Sequence, residues 1–357
     1  MSAVADVVSA TAREQVPAKA TLLEPVEAER PPEARGRGRD DVRLLVASRS
    51  ALVHTRFAAL PELLASGDLL VVNTSRTLPA SVAARRRDGT TLTVNLSTPV
   101  PFEDSDRWLI ELRRGGERFR DGRTGELLSL PGGARAELLL PYMGTRLWVA
   151  ALTLPEPLLE YLDRHGRPIV YGHVEGDWPL EAHQTVYATE PGSAEMPSAG
   201  RPFTTELITR LVARGIDVAP LVLHTGVSSL ERGETPMPER YRVPETTAER
   251  VNLTRRLGGR VIAVGTTVVR ALESAVSHDG RLTAAAGWAE LVISPRRGVQ
   301  AIDAILTGFH DWDSSHLQML EAIAGRALIE RTYRAATAAG YLRHEFGDLA
   351  LIEGGKQ

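Results

Sequence analysis

From about residue 155 onward, short apolar runs alternate with segments of helical spacing, and this alternation restricts the possible architectures more than any other feature. "IDVAPLVLH", "RVIAVG", "AELVISP" and "DLALI" read as strands. "FTTELITRLVARG", "TTAERVNLTRRLGG", "TTVVRALESA" and "SSHLQMLEAIAGRALIERTYRAATAAG" read as helices. Thr204 and Gly215 stand at N-cap and C-cap positions, and Thr246 with Glu249 makes a capping-box pattern that closes on Gly258. Strands alternating with helices predict a mostly parallel α/β domain. "VRLLVASRS" and "GDLLVVNTS" add two earlier strands, and "AIDAILTGF" is apolar without a decisive period. Between about Ala80 and Trp148 the texture differs. "TLTVNL", "RWLIEL", "ELLSL", "ARAELLL" and "TRLWVA" are divided by Gly, Pro and Asp turns, which predicts a small antiparallel barrel. The expected division is a charged, Pro/Gly-punctuated lead-in over 1–38, extended or disordered, an α/β domain over 39–79 and 150–357, and an inserted β-barrel domain over 80–149.

Composition removes several kinds of chemistry. The chain has no cysteine, which excludes disulfides, thiolate nucleophiles and Cys-ligated metal sites. Its lysines are Lys19 and Lys356, so no internal lysine is available for a Schiff base or a phosphate-binding loop. A net charge of −3 argues against a globally basic nucleic-acid binder, although a local basic patch stays open. No apolar run nears the roughly 20 residues that span a bilayer, and the N-terminus lacks signal-peptide architecture, so a soluble cytoplasmic protein is expected.

In parallel α/β domains, function collects where strands end and helices begin. Four such junctions carry polar residues: Met196–Thr204, Leu223–Ser229, Gly265–Arg270 and Gly308–His316. At Gly265-Thr266-Thr267 the free amides of a helix N-terminus favour a carboxylate, phosphate or ribose. From this segment alone an ordinary N-cap without a ligand is the more common reading, because such βα turns recur widely. His224 and His310 stand at two junctions, as satisfied structural residues or as groups suited to proton transfer near neutral pH. No HExxH and no close His/carboxylate spacing suggests a metal site. Arginines concentrate in "ARRRDG" and "ELRRGGERFRDGRTG", either as phosphate contacts or as solvated strand edges.

Six segments, "GDLLVVNTSRTLPA", "QTVYATEPGSAEMPSAGRPFT", "LVLHTGVSSL", "GGRVIAVGTTVVRALES", "AIDAILTGFH" and "FGDLALI", appear in the order and spacing of one family. From about residue 40 to 352 the chain resembles the S-adenosylmethionine:tRNA ribosyltransferase-isomerases. The resemblance implies a barrel-like α/β large domain with an inserted β-barrel. It implies S-adenosylmethionine as ribosyl donor, no metal, tRNA as partner and a monomer. The implied reaction joins the ribosyl moiety to 7-aminomethyl-7-deazaguanine in tRNA, giving epoxyqueuosine-tRNA, adenine and methionine. Carried onto this sequence, it implies His224 and His310 as catalytic residues and Ser198, Gly200, Gly226, Gly265, Thr266, Thr267 and Arg270 at the cofactor. Asn73, Arg76 and Asp348 are implied at the substrate. Departures from the family pattern fall at Thr74 and Ser75, at Ser81, at Arg201 and Pro202 in place of Leu-His, and at Asp313 in place of lysine. They leave two alternatives: a paralogue using S-adenosylmethionine with a different acceptor, or a non-catalytic nucleoside- or RNA-binding protein on the same fold.

Overall fold

The computed structural model describes residues 26–103, 106–144, 146–227, 236–311 and 314–354. β1 (Arg43–Ala47), β2 (Leu52–Arg56) and β3 (Leu69–Asn73) begin the large sheet. The chain then leaves it to form β4 (Ser81–Arg85), β5 (Thr91–Pro99), β6 (Arg107–Arg114), β7 (Leu127–Ser129), β8 (Arg135–Tyr142) and β9 (Leu147–Thr153). It returns with β10 (Asp217–Leu223), β11 (Glu239–Val243), β12 (Val261–Val264), β13 (Ala285–Ala289), β14 (Ala304–Gly308) and β15 (Leu349–Glu353). The helices of two turns or more are α1 (Leu158–His165), α2 (Thr205–Ala213), α3 (Glu245–Arg256), α4 (Thr266–Ser274), α5 (Ser315–Ala324) and α6 (Arg326–Ala338). No described helix is long and apolar enough to cross a membrane.

The large sheet has nine strands in the order β13-β11-β10-β3-β12-β14-β15-β1-β2. The pairs β10–β3, β3–β12, β12–β14 and β15–β1 are parallel. The other four, β13–β11, β11–β10, β14–β15 and β1–β2, are antiparallel. The sheet is thus mixed and open rather than mostly parallel and barrel-like. Parallel pairing holds at the centre, where side chains are covered on both faces, and direct returns add antiparallel strands towards the edges. Alternation sorts the central side chains. Leu69, Val71, Leu221, Val261 and Ala263 join one core with residues of α3–α6, while Leu70, Val72, Ile262, Val264 and Leu306 join another with Phe203, Leu207 and Leu211.

The second sheet closes as expected: β7-β8-β9-β6-β5-β4, with Ser129 pairing Arg85 to complete six antiparallel strands. Val82, Leu92, Val94, Ile110, Leu112, Leu138 and Ala150 fill its interior. Its packing continues past residue 149 to Tyr161, Leu162 and Ile169. Part of the arginine run works inside this module. Arg86 bonds Glu126 at 2.5 Å and Arg113 bonds the buried Glu111 at 2.6 Å. Arg85, Arg87 and Arg114 are exposed.

Three local expectations change. Residues 26–38 are docked rather than free: Val26–Glu27 pairs with Leu342–Arg343, Ala28 is buried, and Glu33 bonds Arg201 at 3.0 Å. Residues 1–25 of the expected lead-in lie outside the described residues. The strand expected in "AELVISP" lies upstream at β13, because Ala285–Ala289 pairs along β11 while Ile293 enters the core without strand pairing. Thr246 does not cap α3, which starts one residue earlier behind Pro244; Thr204 does cap α2, accepting from the Leu207 amide at 3.1 Å.

Candidate active site

β12 ends at Val264, and Gly265 turns the chain into α4 at φ +90° and ψ 161°. That backbone is open to glycine and strained for any other residue. No side chain caps α4, so its first amides are left to a ligand or solvent. Gly265, Thr266 and Thr267 line a cavity of about 640 Å³, together with Ser198, Arg270, His310 and His316. Four lining residues carry buried side-chain polar atoms without a partner: Thr77 Oγ1, His183 Nε2, Arg270 Nε and Ser314 Oγ. Buried polar atoms are nearly always hydrogen-bonded, so this set is suited to a polar ligand.

Arg270 is held rigidly. Its Nη1 pairs with the Glu239 carboxylate, and Nη2 donates to the carbonyls of Met237 at 2.9 Å and Ala289 at 2.5 Å. Burial pushes the Glu239 carboxyl up, against the pull of Arg270. The Gly226 amide donates to Glu239 at 3.2 Å, so Gly226 supports this pair from behind and does not line the cavity. A Cβ there would come within 2.7 Å of Ser97 Oγ.

His310 shares a hydrogen bond with Thr307 Oγ1 at 3.1 Å, and its amide donates to Tyr333 Oη at 3.1 Å. Its ring stacks on His316, with centroids 4.3 Å apart and planes 15° apart. Burial, then His316 and His344, hold the His310 pKa well below the usual imidazole value. Burial and the nearby Arg270 push His316 down to about 4. Both rings are therefore neutral at pH 7, and the burial that keeps them so makes them weaker proton acceptors than an exposed imidazole.

His224 lies elsewhere. It lines a second cavity of about 920 Å³ with Phe102, Trp108, Arg240, Arg242 and Trp288. Its Nδ1 lies 2.7 Å from Ser75 Oγ, which lies 2.6 Å from Ser193 Oγ, and burial lowers its pKa. The structure therefore does not bring His224 and His310 into one cavity. Asn73 is buried and clamps β3 to β10: Nδ2 donates to the Leu223 carbonyl at 2.8 Å and to Thr267 Oγ1 at 3.3 Å, and Oδ1 accepts from the Leu223 and Ser75 amides. It orders the Gly-Thr-Thr turn from beneath. Asp348 spends both carboxylate oxygens on Arg43 and the Leu342 amide and does not line the cavity. Arg76 is exposed on the strand Ser75–Thr77, outside both cavity linings. Gly200 packs against the Tyr187 hydroxyl.

Arg201 and Pro202 are both buried. Arg201 donates to the Ala182 carbonyl at 2.8 Å, bonds Glu33, and lies 4.9 Å over the Phe346 ring. That departure from the family pattern is thus structural. The departure at Asp313, and Ser228–Ser229 of the Leu223–Ser229 junction, lie outside the described residues. Sequence spacing also misses His316, Glu239 and a trio at the cavity rim. His173 Nε2 meets Glu345 Oε2 at 2.9 Å, with His344 stacked on His173. The expectation of no His/carboxylate cluster is corrected here; 172 positions separate His173 from Glu345, so no local motif could announce it.

The profile of the family described as queuosine biosynthesis protein matches residues 20–352. The S-adenosylmethionine:tRNA ribosyltransferase-isomerase of Symbiobacterium thermophilum is 37% identical over 327 residues, covering 88% of this chain and 93% of that protein. The protein of the same name from Desulfitobacterium hafniense is 35% identical over 334 residues with the same coverage. A solved structure, the S-adenosylmethionine tRNA ribosyltransferase of Thermotoga maritima, is 26% identical with a TM-score of 0.48, covering 95% of this chain and 98% of that one. On the extent of the profile match and the identity of these relatives, the chain belongs to the queuosine biosynthesis protein family.

Proposed function

We propose that this protein transfers and isomerises the ribosyl moiety of S-adenosylmethionine onto the 7-aminomethyl-7-deazaguanine base of tRNA, giving epoxyqueuosine-tRNA, adenine and methionine. The observation that carries the reading is the cavity in which an uncapped helix N-terminus meets a pair of neutral imidazoles and unpartnered polar atoms. Thr266, Thr267 and the α4 amides suit a carboxylate or ribose hydroxyls. Arg270 keeps its Nε–H for the ligand while Glu239 and two carbonyls fix its other nitrogens. Ile169, Ile293 and Phe309 give the cavity apolar walls for a purine.

The chemistry then assigns work to the rings. A base removes a C5′ proton made acidic by the sulfonium, and the electron pair forms the C4′=C5′ bond as the C4′–O4′ bond breaks. The O4′ pair then makes the C1′ carbonyl as adenine departs with the C1′–N9 bond pair and takes up a proton. The acceptor amine adds to C4′ and gives up a proton, the pair returned to C5′ bonds to C1′, and the resulting oxygen anion closes the epoxide on C5′ as methionine leaves with the sulfur–C5′ bond pair. His310, stacked on His316 in the cavity that the Gly-Thr-Thr turn lines, is a proton acceptor in this scheme, and His224 serves from the second cavity. In this reading residues 80–149 are an inserted domain, residues 39–79 and 150–357 form the catalytic one, and the protein works as a cytoplasmic monomer. A paralogue with a different acceptor is favoured by one observation, the use of Arg201 as a structural anchor to Glu33 where the family pattern has Leu-His.

The test is incubation with S-adenosylmethionine, with and without tRNA carrying the precursor base, and mass spectrometry of adenine, methionine and the tRNA nucleosides. Adenine and epoxyqueuosine that depend on that tRNA support the reading. Adenine formed equally with tRNA lacking the precursor base points to the other acceptor. No adenine under either condition refutes both. Alanine at both His310 and His224 abolishes adenine release if the roles are right; intact release removes them.

A further inference from the structure

A cluster at the rim of the 640 Å³ cavity takes no part in the ribosyl transfer described above. His173 Nε2 lies 2.9 Å from Glu345 Oε2, and His344 Nε2 lies 2.9 Å from Glu27 Oε2. The two imidazoles stack with centroids 4.3 Å apart and planes 26° apart. One ligand atom from each of His173, His344 and Glu345 lies within 4.8 Å of the others. We propose that His173, His344 and Glu345 form a binding site for a divalent first-row transition ion, with zinc the best match and Glu27 beside it as a further oxygen donor.

Three observations support the site. First, the donor set is two imidazoles and a carboxylate, the combination that holds zinc and its neighbours in the first transition row. Ligand atoms at about 2.0–2.1 Å from one tetrahedral ion stand about 3.3 Å from each other. Small side-chain rotations take the observed separations to these values; His173 Nε2 already faces Glu345 across a hydrogen bond that an ion can replace, and His344 Nε2 lies close to a Glu27 oxygen that has no hydrogen-bond partner. Second, His344 has φ +66°, a left-handed backbone uncommon outside glycine, in which histidine is among the residues found more often. This conformation brings its ring over His173. The following turn is crowded, since a Cβ on Gly347 would sit 2.5 Å from the Leu342 carbonyl, so the backbone is fixed before any ligand arrives. Third, all three residues line the cavity, so a bound ion would offer a free coordination position to an oxygen of a cavity ligand. The site stands whether or not the ribosyl transfer is correct, because its ligands are distinct from His310, His316 and Arg270.

Untagged full-length protein, stripped with a chelator, is titrated with Co²⁺ while the visible d–d bands are recorded, and Zn²⁺ is then titrated by calorimetry. One ion per chain in the micromolar range or tighter is expected, with zinc displacing cobalt. His173→Ala and His344→Gly should each weaken binding at least about tenfold. Glycine also suits the positive φ of residue 344, so His344→Gly adds no backbone strain, and circular dichroism and melting check the fold of both variants. His278→Ala, at an exposed histidine, should change nothing. The absence of saturable one-to-one binding, or unchanged affinity in both ligand variants, overturns the site. Loss of binding on His310→Ala but not on His173→Ala overturns it too, by moving the ion to the other histidine pair.

Discussion

Gly265→Ala tests whether the turn at the head of α4 is locked by its backbone. An added Cβ would meet Ala199 Cβ at 3.4 Å and Thr267 Oγ1 at 3.7 Å, which are ordinary contacts. The side chain therefore fits, and the cost falls on φ +90°, ψ 161°, a region that is essentially glycine-only. That strain is worth about 1–3 kcal/mol. At about 2 kcal/mol the folded-to-unfolded ratio falls roughly thirtyfold. The chain can relieve the strain by swinging φ negative, but this disturbs the Gly265 amide bond to the Leu306 carbonyl at 2.8 Å and re-aims the amides of Thr266 and Thr267. Stability or ligand binding must suffer. Gly258, also at positive φ with nothing within 4 Å of an added Cβ, ends α3 in the ordinary left-handed position and should cost about 1 kcal/mol. Urea unfolding gives the stability of both variants, and calorimetry with S-adenosylmethionine gives the affinity. If Gly265→Ala stays within about 0.5 kcal/mol of the parent with unchanged affinity, the strain argument is wrong.

Arg270→Met leaves Glu239 unpaired near the cavity and should cost about 3–5 kcal/mol, with Glu239→Gln in the same chain restoring a good part; simple additivity in a double-mutant cycle on urea unfolding would refute the coupling. Asp348→Asn should cost about 2 kcal/mol through its bonds to Arg43 and the Leu342 amide and leave the KM for S-adenosylmethionine unchanged; a tenfold rise in KM with stability intact would return Asp348 to the substrate. His316 is neutral in the folded chain, with its pKa pushed from 6.5 to about 4, so the unfolded state takes up the proton first as pH falls. Its contribution is complete above about pH 6.5 and is lost towards pH 4, to a limit of about 3 kcal/mol. His310 has the same sign, and Arg270 and His344 are the charged or titratable neighbours that favour the neutral pair. Melting curves from pH 7.5 to 5 should flatten in His316→Gln, and an unchanged slope would refute the assignment.

The central strands were legible because burial on both faces leaves a plain signature: Leu69 to Val72 supply two cores at once, so the run is apolar throughout. β13 was hidden for the opposite reason. Ala285–Ala289 is three alanines, a glycine and Trp288, mostly partly exposed, while the more apolar Leu291-Val292-Ile293 next to it has no strand pairing. Strand direction has no local code either. β15 reads as a strand from "DLALI", but nothing in those residues says that it lies antiparallel to β14 and parallel to β1. The docked segment 26–38 escaped notice because Arg30 and Glu33 look like solvated charges, and their partners Glu175 and Arg201 stand 145 and 168 residues away.

At the site, the sequence exposes which residues stand at strand ends but not which side they face. His224 and Thr225 are neighbours after β10, yet His224 opens on the 920 Å³ cavity and Thr225 on the 640 Å³ one. Successive residues of extended chain point to opposite sides, so one step along the sequence changes the cavity served. The Gly-Thr-Thr turn was readable because its constraint is a single residue's backbone. The pairing of His310 with His316 was not, since only the fold stacks the two rings. The consequence is concrete. His224 and His310 line different cavities, so a direct proton transfer between them has no shared cavity to pass through. If both act in the proposed reaction, each acts in its own cavity rather than in series in one.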